Sequence, residues 1–127
     1  MVNTRSERVH AYFDALTAGD VPAILALFTP EAEIHSPFLG VMKAPDFYAK
    51  LDAASASSQL TVLDVLFGED SQTAAARFRY DWVLKSGDRL VFEGMDHFTF
   101  GPDDRFTEMR IYYDTHPVRE EVGDKYA

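Results

Sequence analysis

Apolar positions in the first half of the chain recur at helical spacing. Thr4 followed by Glu7 has the spacing of a capping box, and behind it Val9, Tyr12, Phe13 and Leu16 share one stripe until Gly19 supplies a stop. Asp20 then caps a second helix, with Pro22 in its first turn and Val21, Ile24, Leu25 and Phe28 along one face, ending before Pro30. Polarity alternates from Ala32 to Ser36 and Pro37 closes the run, which predicts a short strand; Phe38 to Ala44 reads as a loop. Pro45 opens a third helix with Phe47, Tyr48 and Leu51 on its apolar side, and Ala53 to Ser58 reads as a small, polar connection.

From Leu60 the helical period gives way to strict alternation. Strands are predicted at Leu60 to Phe67, Ala74 to Leu84, a run carrying Leu90, Phe92, Gly94, Asp96, Phe98 and Phe100 on one side, and Arg105 to Tyr113. The turns between them fall at Gly68 to Ser71, Lys85 to Asp88 and Gly101 to Asp104. Helices followed by an antiparallel meander predict an α+β layer fold, with three N-terminal helices on one face of a strongly curved sheet and a cavity at the open end.

The chain has 127 residues, 46% of them hydrophobic and 13% aromatic, enough for one core, so residues 1–127 are expected to form a single domain with a polar tail from Asp114. A formal charge of −9 disfavours nucleic acid and anionic membrane, whose affinity comes from neutralising phosphates. With no cysteine, disulfides and thiolate metal sites are excluded. The N-terminus lacks the apolar core of a signal peptide and no apolar run could span a bilayer, so a soluble, cytoplasmic protein is expected.

Asp96 is the most informative residue. Alternation puts its carboxyl on the face of Leu90, Phe92, Phe98 and Phe100, where an unpaired charge is so costly that the acid stays protonated and becomes a hydrogen-bond donor. The competing arrangement has a bulge turning Asp96 to solvent, or Arg110 or a backbone amide pairing with it. Tyr12 lies on the apolar stripe of the first helix, so its hydroxyl needs a partner or a ligand. His35 and Ser36 end the first strand and point to opposite faces; alternation with Ala32 and Ile34 sends Ser36 inward. Serine without an activating histidine does not support a hydrolase triad. Arg79 and Asp81 share the face of Arg77, with Glu93, His97 and Thr99 across from them, the texture of a solvated or subunit-facing surface. Histidines at positions 10, 35, 97 and 116 have no ligand spacing, so neither a metal nor a cofactor is expected.

The segment Ala11 to Asp20, continuing through Ile24-Leu25-Ala26-Leu27-Phe28, resembles the opening helices of the nuclear transport factor 2-like superfamily. Met95-Asp96-His97-Phe98-Thr99-Phe100, with Glu108-Met109-Arg110 beyond its turn, is similar to the last two strands of ketosteroid isomerase and the SnoaL-like proteins. The resemblance spans nearly the whole chain. It implies a cone-shaped, cystatin-like fold with a mixed, mostly antiparallel sheet, and a homodimer formed through the outer sheet face, where Arg77, Arg79, Val83, Val91, Met95 and His97 lie. It also implies that Tyr12 is the oxyanion-binding tyrosine and Asp96 its protonated partner. The family's general base, an aspartate before a proline, falls on Ser36, so the base is missing and His35 or Asp114 are the substitutes within reach of the sequence. Limonene epoxide hydrolase resembles the chain at Arg79-Tyr80-Asp81, but Ile111 stands where it has a further acid.

The expected function is binding of a small hydrophobic carbonyl or phenolic compound, with isomerase- or cyclase-like turnover. Tyr12, Asp96, His35 and Ser36 would do the chemistry, and Phe28, Phe47, Leu51, Phe78, Trp82, Phe98, Met109, Ile111 and Asp114 would form the wall. A non-catalytic carrier or sensor, or a dimerisation module with a filled cavity, are the alternatives.

Overall fold

The structure, a computed structural model, describes residues 4–115. Its elements are helices α1 (Thr4–Ala18), α2 (Val21–Ala26) and α3 (Ala44–Ala54), and strands β1 (Phe28–Ser36), β2 (Gly40–Lys43), β3 (Ser55–Phe67), β4 (Thr73–Leu84), β5 (Arg89–Phe100) and β6 (Phe106–Tyr113). The predicted tail lies, beyond residue 115, outside the described residues.

All six strands form one sheet in the order β2-β1-β6-β5-β4-β3. β1 runs parallel to β6 and every other pair is antiparallel, so the sheet is mixed. The helices pack on it from both edges, α1 against β3 and α3 against β1 and β2. Between them lies a core dominated by aromatic rings and short alanines, including Tyr12, Phe13, Phe28, Phe47, Tyr48, Ala74, Ala76, Phe78, Phe98 and Phe106.

Local chemistry accounts for the joints. Gly19 takes a left-handed φ of 68°, which lets its N–H and that of Asp20 close back on Leu16 and Ala15 at 3.1 and 3.0 Å. Asp20 then caps α2 by accepting from the Ala23 N–H at 3.1 Å. At the base of the fold Arg5 donates to Asp104 at 2.7 Å and to the Ser71 carbonyl at 2.8 Å, and its guanidinium covers the Phe100 ring.

Three boundaries differ from the sequence expectation. α2 stops at Ala26 and Phe28 already belongs to β1, because the Phe106 N–H donates to the Leu27 carbonyl at 2.9 Å and pulls the segment onto β6. The expected loop from Phe38 to Ala44 contains β2, a hairpin partner of β1 that starts where Gly40 adopts a φ of 70°. The expected connection at Ala53 to Ser58 is the end of α3 and the first turn of pairing in β3. Its serines are polar without being loop residues: Ser55 Oγ accepts from the Trp82 indole at 2.8 Å, and Ser58 shares a hydrogen bond of 2.8 Å with the Tyr80 hydroxyl.

Gly94 sits at the one point of β5 where no side chain fits. A Cβ there would lie 2.8 Å from Phe78 Cζ and 2.9 Å from the Tyr112 carbonyl oxygen, and the carbonyl belongs to the neighbouring strand and cannot rotate away. Gly94→Ala is therefore expected to destabilise the protein by about 1–3 kcal/mol, read as a lowered urea midpoint. An unchanged midpoint would mean that β5 and β6 separate freely at this position.

Candidate active site

A cavity of about 610 Å³ opens between α1, α3 and the concave face of the sheet. Tyr12, Phe13 and Leu16 reach it from α1, Phe47, Lys50 and Leu51 from α3, Phe78, Tyr80 and Trp82 from β4, Phe92 and Asp96 from β5, and Ile111 from β6. Its size and apolar wall are those of a site for one small organic molecule.

Asp96 lies on the wall, 3% exposed, and its Oδ1 has no hydrogen-bond partner. The bulge and ion-pair alternatives do not hold. β4 and β6 pair in unbroken register across positions 95 to 97, and Arg110 is bound to Glu108 at 2.6 Å on the other face. Burial raises the Asp96 carboxyl well above its ordinary value. Burial thus favours the protonated form, which can donate.

Tyr12 is buried beside it. Five rings, those of Phe13, Phe28, Tyr48, Phe98 and Phe106, meet the Tyr12 ring at centroid distances from 5.1 to 6.3 Å and leave it one orientation. Its hydroxyl lies 2.7 Å from that of Tyr48, which in turn reaches the Met109 sulfur at 3.9 Å. A thioether is a poor acceptor, so Tyr48 loses little by giving its proton to Tyr12 instead, which frees the Tyr12 proton for a ligand oxygen. Burial, followed by the neighbouring Tyr48 and Asp96, raises Tyr12 well above its ordinary value; burial does the same for Tyr48. Tyr80, also on the wall, is pushed up to about 12, chiefly by burial and against the opposing hydrogen bond with Ser58. All three phenols remain protonated donors at neutral pH.

Of the residues singled out from sequence, Tyr12, Asp96, Ser36, Phe47, Leu51, Phe78, Trp82, Ile111 and Asp114 line the cavity. Phe28, Phe98 and Met109 do not: they are packed behind the wall, where they hold Tyr12 and Tyr48. His35 is off the cavity as well. Strand alternation turns it to the far face, 3.9 Å from both Glu33 and Glu108, so it is no base for a ligand in the cavity. Val91, expected on the outer face, reaches the cavity mouth. Ser36 Oγ accepts from the Phe38 and Leu39 N–H groups at 3.4 Å each, which leaves its own proton, not a basic lone pair, for the cavity. Arg79 and Asp81 are outside, where Arg89 donates to Asp81 at 2.9 Å. Tyr48 and Tyr80 went unassigned in the sequence, although a tyrosine on an apolar stripe always raises the question of its hydroxyl. Among the described residues no group of three or more His, Asp or Glu could hold a metal ion, and no helix is long and apolar enough to cross a membrane.

The pattern of the SnoaL-like domain matches residues 9–109. The chain belongs to the SnoaL-like family. A steroid Δ-isomerase of Nocardioides simplex is 30% identical over 111 residues, which cover 83% of this chain and 85% of the relative. Two solved structures share the fold of this SnoaL-like protein. The epoxide hydrolase/cyclase-like enzyme SalBIII, described in pyran ring formation in the polyether salinomycin, superposes with a TM-score of 0.79 at 21% identity, covering 89% of this chain and 92% of its own. A nuclear transport factor 2-like protein of unknown function from Burkholderia pseudomallei reaches the same TM-score of 0.79 at 13% identity, covering 97% and 100%.

The state of Asp96 in the SnoaL-like chain has a measurable sign. Unfolded, Asp96 ionises near ~3.9; folded, its value is raised. Its contribution to stability is full below about pH 4 and is lost as pH rises toward and through the folded value, because only the unfolded chain releases the proton freely. Asp96→Asn, uncharged at any pH, should therefore gain stability relative to wild type as pH is raised from about 4 to 8, measured as the difference in urea midpoints. A difference that does not move with pH would mean that Asp96 ionises alike in both states.

Proposed function

We propose that the cavity binds a hydrophobic carbonyl or phenolic compound through Tyr12 and Asp96, whose protons are directed at one ligand oxygen. The observation that carries this is the buried, partnerless Oδ1 of Asp96 on the cavity wall, next to the Tyr12–Tyr48 pair. A buried polar atom without a partner is rare in a folded protein, and a ligand oxygen would satisfy it. Donors fixed in an apolar site stabilise negative charge developing on oxygen, which is what isomerisation of an enone or an aldol-type cyclisation needs. The steroid Δ-isomerase relative supports the same class of ligand.

Serine at the family's base position favours binding over turnover of enones, and Asp114 at the cavity opening is the substitute base that remains. A positioned general base contributes a factor of about 10² to 10⁴, and Ser36 cannot supply it. Wild type should bind naphthol, a planar enolate mimic, with a change in fluorescence of Trp82, the single tryptophan, which lines the cavity. It should isomerise a steroid enone poorly. Ser36→Asp should raise that turnover measurably, while Tyr12→Phe and Asp96→Leu should weaken naphthol binding by about tenfold each, the loss of a hydrogen bond to a charged or charging oxygen. If naphthol does not bind and Ser36→Asp gains nothing, the site is misassigned.

We further propose that two copies pair through the outer sheet face, where Arg77, Glu93, Met95 and Tyr112 frame a shallow depression. Light scattering should then give twice the chain mass of 14.3 kDa, and a mass of one chain at micromolar concentration would exclude the dimer.

A further inference from the structure

Lys50 is the cation of the cavity. It is exposed, yet it stands on the lining between Phe47 and Leu51 of α3, so it marks the point where the cavity meets solvent; Tyr12 and Asp96, at 2% and 3% exposed, mark the deep end. The mouth around it is apolar and open, with Phe38, Leu39, Leu90 and Val91 between 45% and 52% exposed.

Most basic side chains of this acidic chain are spoken for: Arg5 by Asp104, Lys43 by Glu31, Arg77 by Glu93, Arg89 by Asp81, Arg105 by Asp103 and Arg110 by Glu108. Among the described residues Lys50 makes no ion pair or hydrogen bond, and Asp114, the other charged group at the cavity opening, does not pair with it. Arg8 and Lys85 make no ion pair among the described residues either, but neither lines the cavity, so Lys50 is the unpaired cation that a ligand in the cavity would meet. The repulsion that the net charge exerts on an anion is screened within about 8–10 Å at physiological salt, whereas Lys50 acts at contact.

Resting on the proposal that Tyr12 and Asp96 hold a ligand oxygen, we propose that Lys50 selects a ligand with an anionic group at its far end. The ligand class is then an amphipathic acid: a rigid apolar skeleton, a carbonyl or phenol at the inner end, and a carboxylate or sulfate at the mouth. The apolar rim takes the part of the skeleton that the cavity does not enclose, and the Lys50 ammonium takes the anion as a charge-assisted hydrogen bond.

The test compares three probes by the fluorescence of Trp82 and by calorimetry: a neutral steroid enone, a steroid enone whose side chain ends in a carboxylate, and the methyl ester of that acid. Wild type should bind the acid about fivefold more tightly than its ester, the scale of a solvent-accessible ion pair, and the preference should shrink at high salt. Lys50→Gln should abolish the preference and Lys50→Glu should reverse it, the preference being read within each variant as the ratio of acid to ester affinity. If the neutral enone binds and the acid is not preferred, or if the preference survives Lys50→Gln, the assignment of Lys50 is overturned while the pocket stands. If no probe binds, the pocket itself is misassigned and the role of Lys50 falls with it.

Discussion

A carboxyl group that cannot find a counter-charge is the constraint on which this site depends. Asp96 faces inward between Ala76 of β4 and Ile111 of β6, two side chains that offer it nothing polar. The pleat that turns it inward turns the candidate partners outward: Arg77, Arg79 and Arg110 lie on the opposite face with Glu93, Asp81 and Glu108. Segregation of charge by strand alternation thus does two things at once. It satisfies the arginines among themselves and leaves the acid dry, so that neutrality is imposed by the sheet as a whole rather than by one neighbour.

The rest of the architecture keeps that arrangement from collapsing. A cavity of about 610 Å³ beside a core would normally shrink as side chains relax into it. Here the wall is made of rings already locked against other rings: Tyr80 lies against Trp82 and Phe92 at 5.6 and 5.4 Å, and Phe92 against Tyr113 at 5.0 Å. The indole of Trp82 is further tied to Ser55, and the Tyr80 hydroxyl to Ser58, so the edge strand anchors the wall from behind. At the other end the sheet is pinned by Arg5 and closed by Phe100 and Phe106, with centroids 5.5 Å apart. Rigidity at the base and rings anchored along the wall together keep the cavity from closing.

Much of this was legible in the sequence, and what was not has identifiable causes. Tyr12 and Asp96 could be placed because each sits in a long, strictly periodic element, where phase alone decides which side is inside. Ser36 and His35 could be separated by the same alternation. The elements that were misread are short or polar. Nothing in Gly40 to Lys43 distinguishes a four-residue strand from a loop until β1 offers it a partner, and the serines of Ser55 to Ser58 look like a linker because their hydroxyl partners, Trp82 and Tyr80, are more than twenty residues away in the chain. Phe28, Phe98 and Met109 were drawn toward the wall because an inward-facing residue can either line a cavity or pack behind it. Periodicity gives the direction of a side chain, and only the packing of the helices gives its depth.

The polar complement of the cavity now has a consistent character. Tyr12 with its Tyr48 relay and Asp96 present protons, Tyr80 shares its hydroxyl with Ser58, and the Ser36 oxygen is already occupied by two backbone N–H groups, so it too can only donate inward. Deep donors, with Asp114 the carboxylate at the opening, are the basis for proposing a ligand oxygen rich in lone pairs and growing in charge. Binding such an oxygen also reinforces the state that binds it, because a hydrogen bond given by the protonated acid favours protonation further. A base at position 36 would change this balance in two ways: it would accept a proton from the ligand, and its charge would lie in the same dry space as Asp96, raising that acid still more. In this chain the serine leaves the donors uncontested, so the proposed recognition of an oxyanion and the proposed weakness of proton abstraction rest on one and the same residue.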